Sequence, residues 1–385
     1  MSDAVFLRDI PPSHHATRLS FFLAGFIMAV WASLVPFVKQ RLGLDEAVFG
    51  MLLLTLGLGA LVTMPLSGMI VSRRGTREVL AWAVPLTSLL AVFIPWVTDA
   101  WVAVALLAVF GAVFGAVDVS MNVHSIEVEK ASGRRMLSGF HALYSVGGVV
   151  GALLMSLLMN LGLAPAFAAM ALLILGALSW AWAWVGRWTL VAGISEDAHG
   201  RGFPLPKGRV LLLGCVCFVM FLVEGSILDW GALYLTEVQG AAIENAGLGF
   251  AAFNVAMTLM RFTGDRLITR IGPRSTVLMG SVLAGAGFIL AVSVPSAWVT
   301  VAAFFLVGIG ASNIVPIAFA ATGVQNDMPM SLAMASVTTL GYAGLLTGPA
   351  LIGFVAHRTS LGTAFLMEVC LLLFVAWSSR LFRVH

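Results

Sequence analysis

The residues able to do chemistry in this chain are a few polar side chains set inside long apolar runs. The first is Asp118, in the stretch Gly111-Ala-Val-Phe-Gly-Ala-Val-Asp-Val-Ser-Met-Asn122. Gly111, Gly115, Asp118 and Asn122 are spaced four, three and four apart, so on a helix they form one stripe. A carboxylate in apolar sequence is costly to bury unless it is protonated, paired or facing water. The stripe therefore reads as the wall of a polar cavity. Glu224 and Asp229 share a second apolar run. Five helical residues turn through about 500°, which points these two carboxylates roughly 140° apart and argues against one paired-acid site. Arg261 and Glu368 complete the charged residues within apolar runs. Acids outnumber the base, so some of them must face water or hold a proton. Asn122, Asn254 and Asn313 can each donate and accept, which suits a hydroxylated ligand or a bridge between helices. Trp31 and Trp230 offer a flat apolar face and one donor, which suits a sugar ring, an aromatic compound or a lipid interface.

The elements that hold these residues follow from composition. The chain has 385 residues, 60% hydrophobic and 10% charged, with a mean hydropathy of +1.01. Soluble domains carry about 25% charged residues, so lipid must cover this surface. Twelve apolar runs are long enough to cross a hydrocarbon core of about 30 Å with about 20 residues each. Their limits are 18–40, 46–71, 79–97, 101–126, 137–160, 164–187, 209–235, 245–268, 274–294, 297–322, 330–356 and 360–380. The expectation is an all-α integral membrane protein of twelve transmembrane helices. Cys215, Cys217 and Cys370 lie in apolar runs and offer neither a disulfide framework nor a four-ligand metal site.

Loop charge predicts orientation. With the N-terminus inside, Lys39, Arg41 and Arg358 fall in outer loops and Arg261 within a span. Every other Lys and Arg, of 21 in all, falls in a cytoplasmic segment. Such a bias places both termini in the cytoplasm.

The longest polar connection, 188–208, divides the spans six and six. The expected domains are an N-terminal six-helix bundle at 1–187, a cytoplasmic linker at 188–208 and a C-terminal six-helix bundle at 209–385. An internal repeat accompanies the division. Ser72-Arg-Arg-Gly-Thr-Arg77 recurs as Thr269-Arg-Ile-Gly-Pro-Arg274, and Gly115-Ala-Val-Asp118 as Gly310-Ala-Ser-Asn313. Gly147 and Gly151 recur as Gly344 and Gly348, and Trp31 and Gly50 as Trp230 and Gly249. All are offset by 195 to 199 positions.

With twelve spans, a 6+6 repeat and a basic turn after the second span of each half, the chain resembles the major facilitator superfamily. The family's turn reads Gly-x-x-x-Asp-Arg-x-Gly-x-Arg. Here Gly68-Met-Ile-Val-Ser-Arg-Arg-Gly-Thr-Arg77 keeps the glycines and basic residues but has Ser72 in place of the acid. In the second half Thr269 takes that place and Asp265 stands four residues earlier. Through Asp118-Val-Ser-Met-Asn122 and Leu137-Ser-Gly-Phe-His141, the closer likeness is to YbjJ-like bacterial inner-membrane proteins, distant relatives of fucose permeases. The resemblance implies two six-helix bundles related by a pseudo-two-fold axis, with a cavity between them that is opened alternately to each side. It also implies a monomer in the bacterial cytoplasmic membrane.

On that resemblance the first, fourth, seventh and tenth spans line the cavity. Asp118 lies about 25 Å along its span at 1.5 Å per residue, towards the cytoplasmic side. Asp118, Glu224 and Asp229 are the expected proton-coupling residues. Trp31, Asn122, Trp230, Asn254 and Asn313 are the expected substrate contacts. Arg73, Arg77, His141, Arg261, Asp265 and Arg270 are the expected gating residues. Glu368 sits on a span that is peripheral in such folds, so a structural role is expected for it. Hydrolase triads, phosphate-binding glycine loops, metal-ligand clusters and nucleic-acid patches are absent from the sequence, and no cofactor is expected. Lacking a nucleotide-binding domain, the chain reads as a secondary transporter, not an enzyme, moving a small polar or sugar-like solute with protons. The alternative is proton-antiport efflux of drugs or metabolites. Efflux relatives typically carry Gly-x-x-x-Gly-Pro in the fifth span, whereas Gly151 is followed here by Ala152, and the similar Gly348-Pro349 lies in the eleventh.

Overall fold

A computed structural model describes residues 11–132, 136–185, 206–323, 325, 327 and 330–382. Most of the connection expected at 188–208 lies outside the described residues, as do Arg8, Arg134, Arg135, Arg187, Arg201 and Arg383. Apart from short 3-10 and π turns, all the elements are α-helices. They are α1 (Pro11–Leu42), α2 (Glu46–Phe93), α3 (Ala100–Ser132), α4 (Leu137–Asn160), α5 (Pro165–Val185), α6 (Gly208–Leu233), α7 (Leu248–Ser293), α8 (Ala297–Ala311), α9 (Ile314–Gly323), α10 (Met330–Arg358) and α11 (Leu361–Ser378). Helices satisfy their own backbone groups, which hydrocarbon cannot do for them. Eleven stretches of the described residues are long and apolar enough to cross a membrane. The remaining expected span, 245–268, is helical as the first arm of α7, where Asn254, Arg261 and Asp265 make it more polar than the rest.

α2 and α7 each contain two spans joined by a sharp bend. The bends fall at Gly75 (φ 82°, ψ 160°) and Gly272 (φ 80°, ψ 157°). This region of backbone space is open essentially to glycine alone. Both glycines belong to the repeated basic turn, so two matching pieces of sequence fold to nearly one backbone geometry. A second matched pair stands at the first residues of α3 and α8. Trp101 is 80% exposed and Trp298 70%, the pattern of indoles at a membrane interface. Large exposed side chains such as Leu175, Leu178, Trp182, Met279, Leu373 and Trp377 form the remaining apolar exterior.

Contacts divide the chain into two compact units, Met1–Gly43 with Thr55–His199, and Leu44–Leu54 with Gly200–His385. In the first, α1 packs chiefly on α4. A Cβ on Gly147 would stand 2.0 Å from Phe22 O, and one on Gly25 1.9 Å from Tyr144 O, so the two backbones touch. In the second unit α6 packs on α10 in the same manner, where a Cβ on Gly344 would stand 2.0 Å from Phe218 O. Small residues at these crossings replace the hydrophobic drive that lipid removes with close van der Waals contact.

The expected span 297–322 is one span but two helices. α8 ends at Ala311 and α9 begins at Ile314. Pro316 has no N–H to give to Ser312 O, so the helical ladder is interrupted where that bond would lie.

Gly75→Ala and Gly272→Ala are expected to destabilise the protein by about 1–3 kcal/mol each. Gly285→Ala, where the added methyl would meet only Val369 Cγ1 at 3.7 Å, should leave it unchanged. Thermal melts of the purified variants check both.

Candidate functional site

In the first unit, the stripe on α3 divides into two parts with different tasks. Its glycine part is a packing seam, not an open wall. A Cβ on Gly111 would stand 1.8 Å from Leu56 O, and one on Gly115 2.9 Å from Ala60 Cα, so α3 lies against the backbone of α2. Its polar part lies one to two turns further along. Asp118 and Asn122 are half-buried, and Asn122 Nδ2 donates to Asp118 O at 2.9 Å and to Asp118 Oδ1 at 3.2 Å. The i,i+4 spacing produces this pairing, which supplies the carboxyl with a donor from its own helix. Below it, Ser125 Oγ donates to Asn122 O at 2.7 Å, and buried His124 Nδ1 lies 2.9 Å from Thr17 Oγ1 of α1. Glu129 accepts from the backbone N–H of Met136 and Leu137 at 2.5 and 2.9 Å, capping the start of α4. The sequence reading missed both Thr17 and the cap, because each joins residues on different helices or across a turn.

Trp31 of α1 is 1% exposed and its ring centroid lies 6.4 Å from that of Phe110. Its indole N–H has no acceptor among the described residues. Arg73 and Arg77 are exposed at the basic turn, where the neighbouring Arg74 pairs with Glu78 at 3.0 Å. His141 is exposed at the start of α4, its ring edge-on to Phe21 with centroids 5.1 Å apart.

In the second unit, Glu224 and Asp229 both lie on α6, with Glu224 half-buried and Asp229 8% exposed. Arg261 of α7 acts electrostatically on Glu224. The charged base and one of the two acids therefore interact within this unit, a coupling that sequence spacing gave no means of finding. Trp230 is 0% exposed and meets Phe49, of the Leu44–Leu54 segment, edge to face at 6.0 Å. Like Trp31, its indole N–H has no acceptor among the described residues. Buried donors without acceptors are rare, because each forfeits its hydration without return.

The three amides differ in their surroundings. Asn122 serves Asp118. Asn254 is 5% exposed and donates along its own helix to Phe250 O at 2.9 Å. Asn313 is 6% exposed and stands where α8 gives way to α9. It donates to Met260 O at 3.4 Å and to Ser312 Oγ at 3.1 Å. It lies flat on Gly264, whose Cβ, if present, would be 2.1 Å from Asn313 Oδ1. Asn313 thus bridges the interrupted span to α7. Arg270 is exposed near the second basic turn, and of Asp265 only the helical backbone is described.

These features define a polytopic α-helical membrane protein built by duplication, with acids, amides and indoles placed inside its spans. The Major Facilitator Superfamily model matches residues 18–246 and 212–384. The chain is 48% identical over 366 residues to an uncharacterized MFS-type transporter of Yersinia pestis, covering 95% of this chain and 94% of that protein. It is 26% identical over 372 residues to the fosmidomycin resistance protein of Escherichia coli, covering 90% and 86%. Its fold matches the crystal structure of the nucleoside transporter NupG with a TM-score of 0.76 at 15% identity, covering 98% of this chain and all of that one. The chain belongs to the Major Facilitator Superfamily and is a membrane transporter.

Arg261→Ala should destabilise the wild-type protein more than it destabilises Glu224→Gln. The coupling expected from a double-mutant cycle on thermal or denaturant melts is about 0.5 kcal/mol or more. Additive effects would mean that the two side chains act independently.

Proposed function

We propose that this transporter moves a small polar or sugar-like solute by alternating access, coupled to protons, in the bacterial cytoplasmic membrane with both termini inside. The observation that carries the reading is the pair of repeat-related indoles, Trp31 and Trp230. Each is buried in its own unit with an N–H that no group among the described residues accepts. A solute bearing hydroxyls supplies the missing acceptor, and its ring stacks on the indole face. Asn122, Asn254 and Asn313 supplement these contacts in the proposal.

Asp118, Glu224 and Asp229 are the proposed proton carriers. Asn122 can donate to either form of Asp118, more strongly to the carboxylate than to the carbonyl oxygen of the acid. Arg261 gives Glu224 a counter-charge that a proton can replace. Arg73, Arg77, His141, Asp265 and Arg270, together with Arg261, are the proposed gating residues, by their places at the turns and helix ends. A monomer suffices for this activity. A second reading, efflux by proton antiport, is favoured by the likeness to the fosmidomycin resistance protein over 90% of the chain.

A thermal-shift screen of the purified protein against sugars, sugar acids, nucleosides and drugs separates the readings. A hydroxylated solute should raise the melting temperature, and Trp31→Phe or Trp230→Phe should weaken its binding about tenfold, the loss of one hydrogen bond of about 1.4 kcal/mol. Stabilisation by fosmidomycin or apolar drugs, with none by hydroxylated solutes, would replace the first reading with the second.

A further inference from the structure

Glu368 has no part in the transport reading. It lies on α11 and is 0% exposed, and neither of its carboxyl oxygens receives a hydrogen bond among the described residues. The group facing it is Ser226 of α6. That hydroxyl already donates its single proton to Val223 O at 2.9 Å. A hydroxyl that has given its proton away presents only lone pairs to a neighbour. Two lone-pair surfaces face each other if Glu368 is ionised. If Glu368 is an acid, its O–H has a neighbouring lone pair to which it can donate.

Among the described residues no cationic group faces Glu368 to hold a buried anion. On α6, Asp229 stands three residues from Ser226. Glu224 points about 160° away around the helix, towards Arg261. On α7, Arg274 is exposed, and no titratable residue follows it before Ser293. On α10, His357 and Arg358 are exposed in the last turn. On α11 itself Cys370 is exposed, and Arg380 is exposed in the short turn that follows. Tyr234 turns its hydroxyl to Ala291 O at 3.1 Å. One turn from Glu368, Phe365 packs against Tyr234, Phe288 and Phe304 with centroids 4.8, 5.2 and 5.9 Å away. This ring cluster closes that end of the site to water. An uncompensated carboxylate in such a place is far more costly than a hydrogen-bonded acid.

We propose that Glu368 is a proton-binding site of the second unit, occupied by one proton that its carboxyl donates to Ser226 Oγ. Binding forms one O–H bond on the carboxylate and consumes one proton, with no other reactant. The sequence alone pointed to a structural side chain. The geometry assigns it a ligand.

Infrared spectroscopy of the full chain in lipid vesicles at neutral pH tests this. The wild type should show a protonated-carboxyl C=O band that disappears in Glu368→Gln and moves in frequency in Ser226→Ala. Glu368→Gln keeps the side-chain volume, so its helical circular dichroism should match the wild type. A wild-type minus Glu368→Gln spectrum containing carboxylate bands and no acid band overturns the proposal. If Glu368→Gln does not fold, Ser226→Ala decides alone: a displaced acid band supports the site and an unchanged spectrum overturns it. The band is read without solute, so the outcome does not depend on what the chain transports.

Discussion

In hydrocarbon, every polar group must find its partner inside the chain. Most of this structure follows from that constraint. The backbone meets it by being helical throughout the spans, and where Pro316 has no N–H to give, one rung of the ladder is missing between α8 and α9. Ser and Thr hydroxyls meet it by bonding to carbonyls one turn back, as Thr87 does to Ala83 O and Ser281 to Val277 O, both at 2.7 Å. Asn254 does the same with its amide. Function is assigned to some of the groups that do not meet it in this way. Among them are the indole N–H groups of Trp31 and Trp230 and the carboxyl of Glu368, while the hydroxyls of Ser67, Thr76, Ser120, Thr300 and Ser336 also lack a partner among the described residues and are given no function.

Much of the architecture was legible in the sequence because lipid simplifies the code. Apolar run length marks the spans, and the basic turns repeat at a fixed offset. The bends at Gly75 and Gly272 show why that motif is a reliable signal: the turn needs a backbone geometry that only glycine supplies, and both copies adopt it. The repeat-related glycines Gly147 of α4 and Gly344 of α10 each lie on a backbone carbonyl of the neighbouring helix, those of Phe22 and Phe218. What sequence could not reveal are facts of neighbouring helices. The spacing of Gly111 and Gly115 is the same for a cavity wall and a packing seam, and only the presence of α2 decides between them. The pairing of Glu224 with Arg261 joins residues 37 positions apart on different helices. Glu368 was expected to be structural because its span is peripheral in such folds, yet it is among the most deeply buried charged side chains described.

The duplication has not kept the chemistry equal. Gly115-Ala-Val-Asp118 and Gly310-Ala-Ser-Asn313 are matching pieces, and their final residues have diverged in both type and task. Asp118 is half-buried and held by an amide of its own helix. Asn313 is buried and committed to Met260 O across a helix break. The amide has become a brace, whereas the carboxylate stays only partly buried. The proposed proton sites of the second unit lie instead on α6 and α11.

The central claim is that acids inside the spans move protons with solute. The direct measurement is proton flux in vesicles reconstituted with the purified protein and loaded with a pH-sensitive dye, on addition of a solute that binds. The account predicts solute-dependent proton movement in the wild type and its loss in Asp118→Asn. Transport and pH dependence that both survive single neutralisation of Asp118, Glu224 and Asp229 would contradict it.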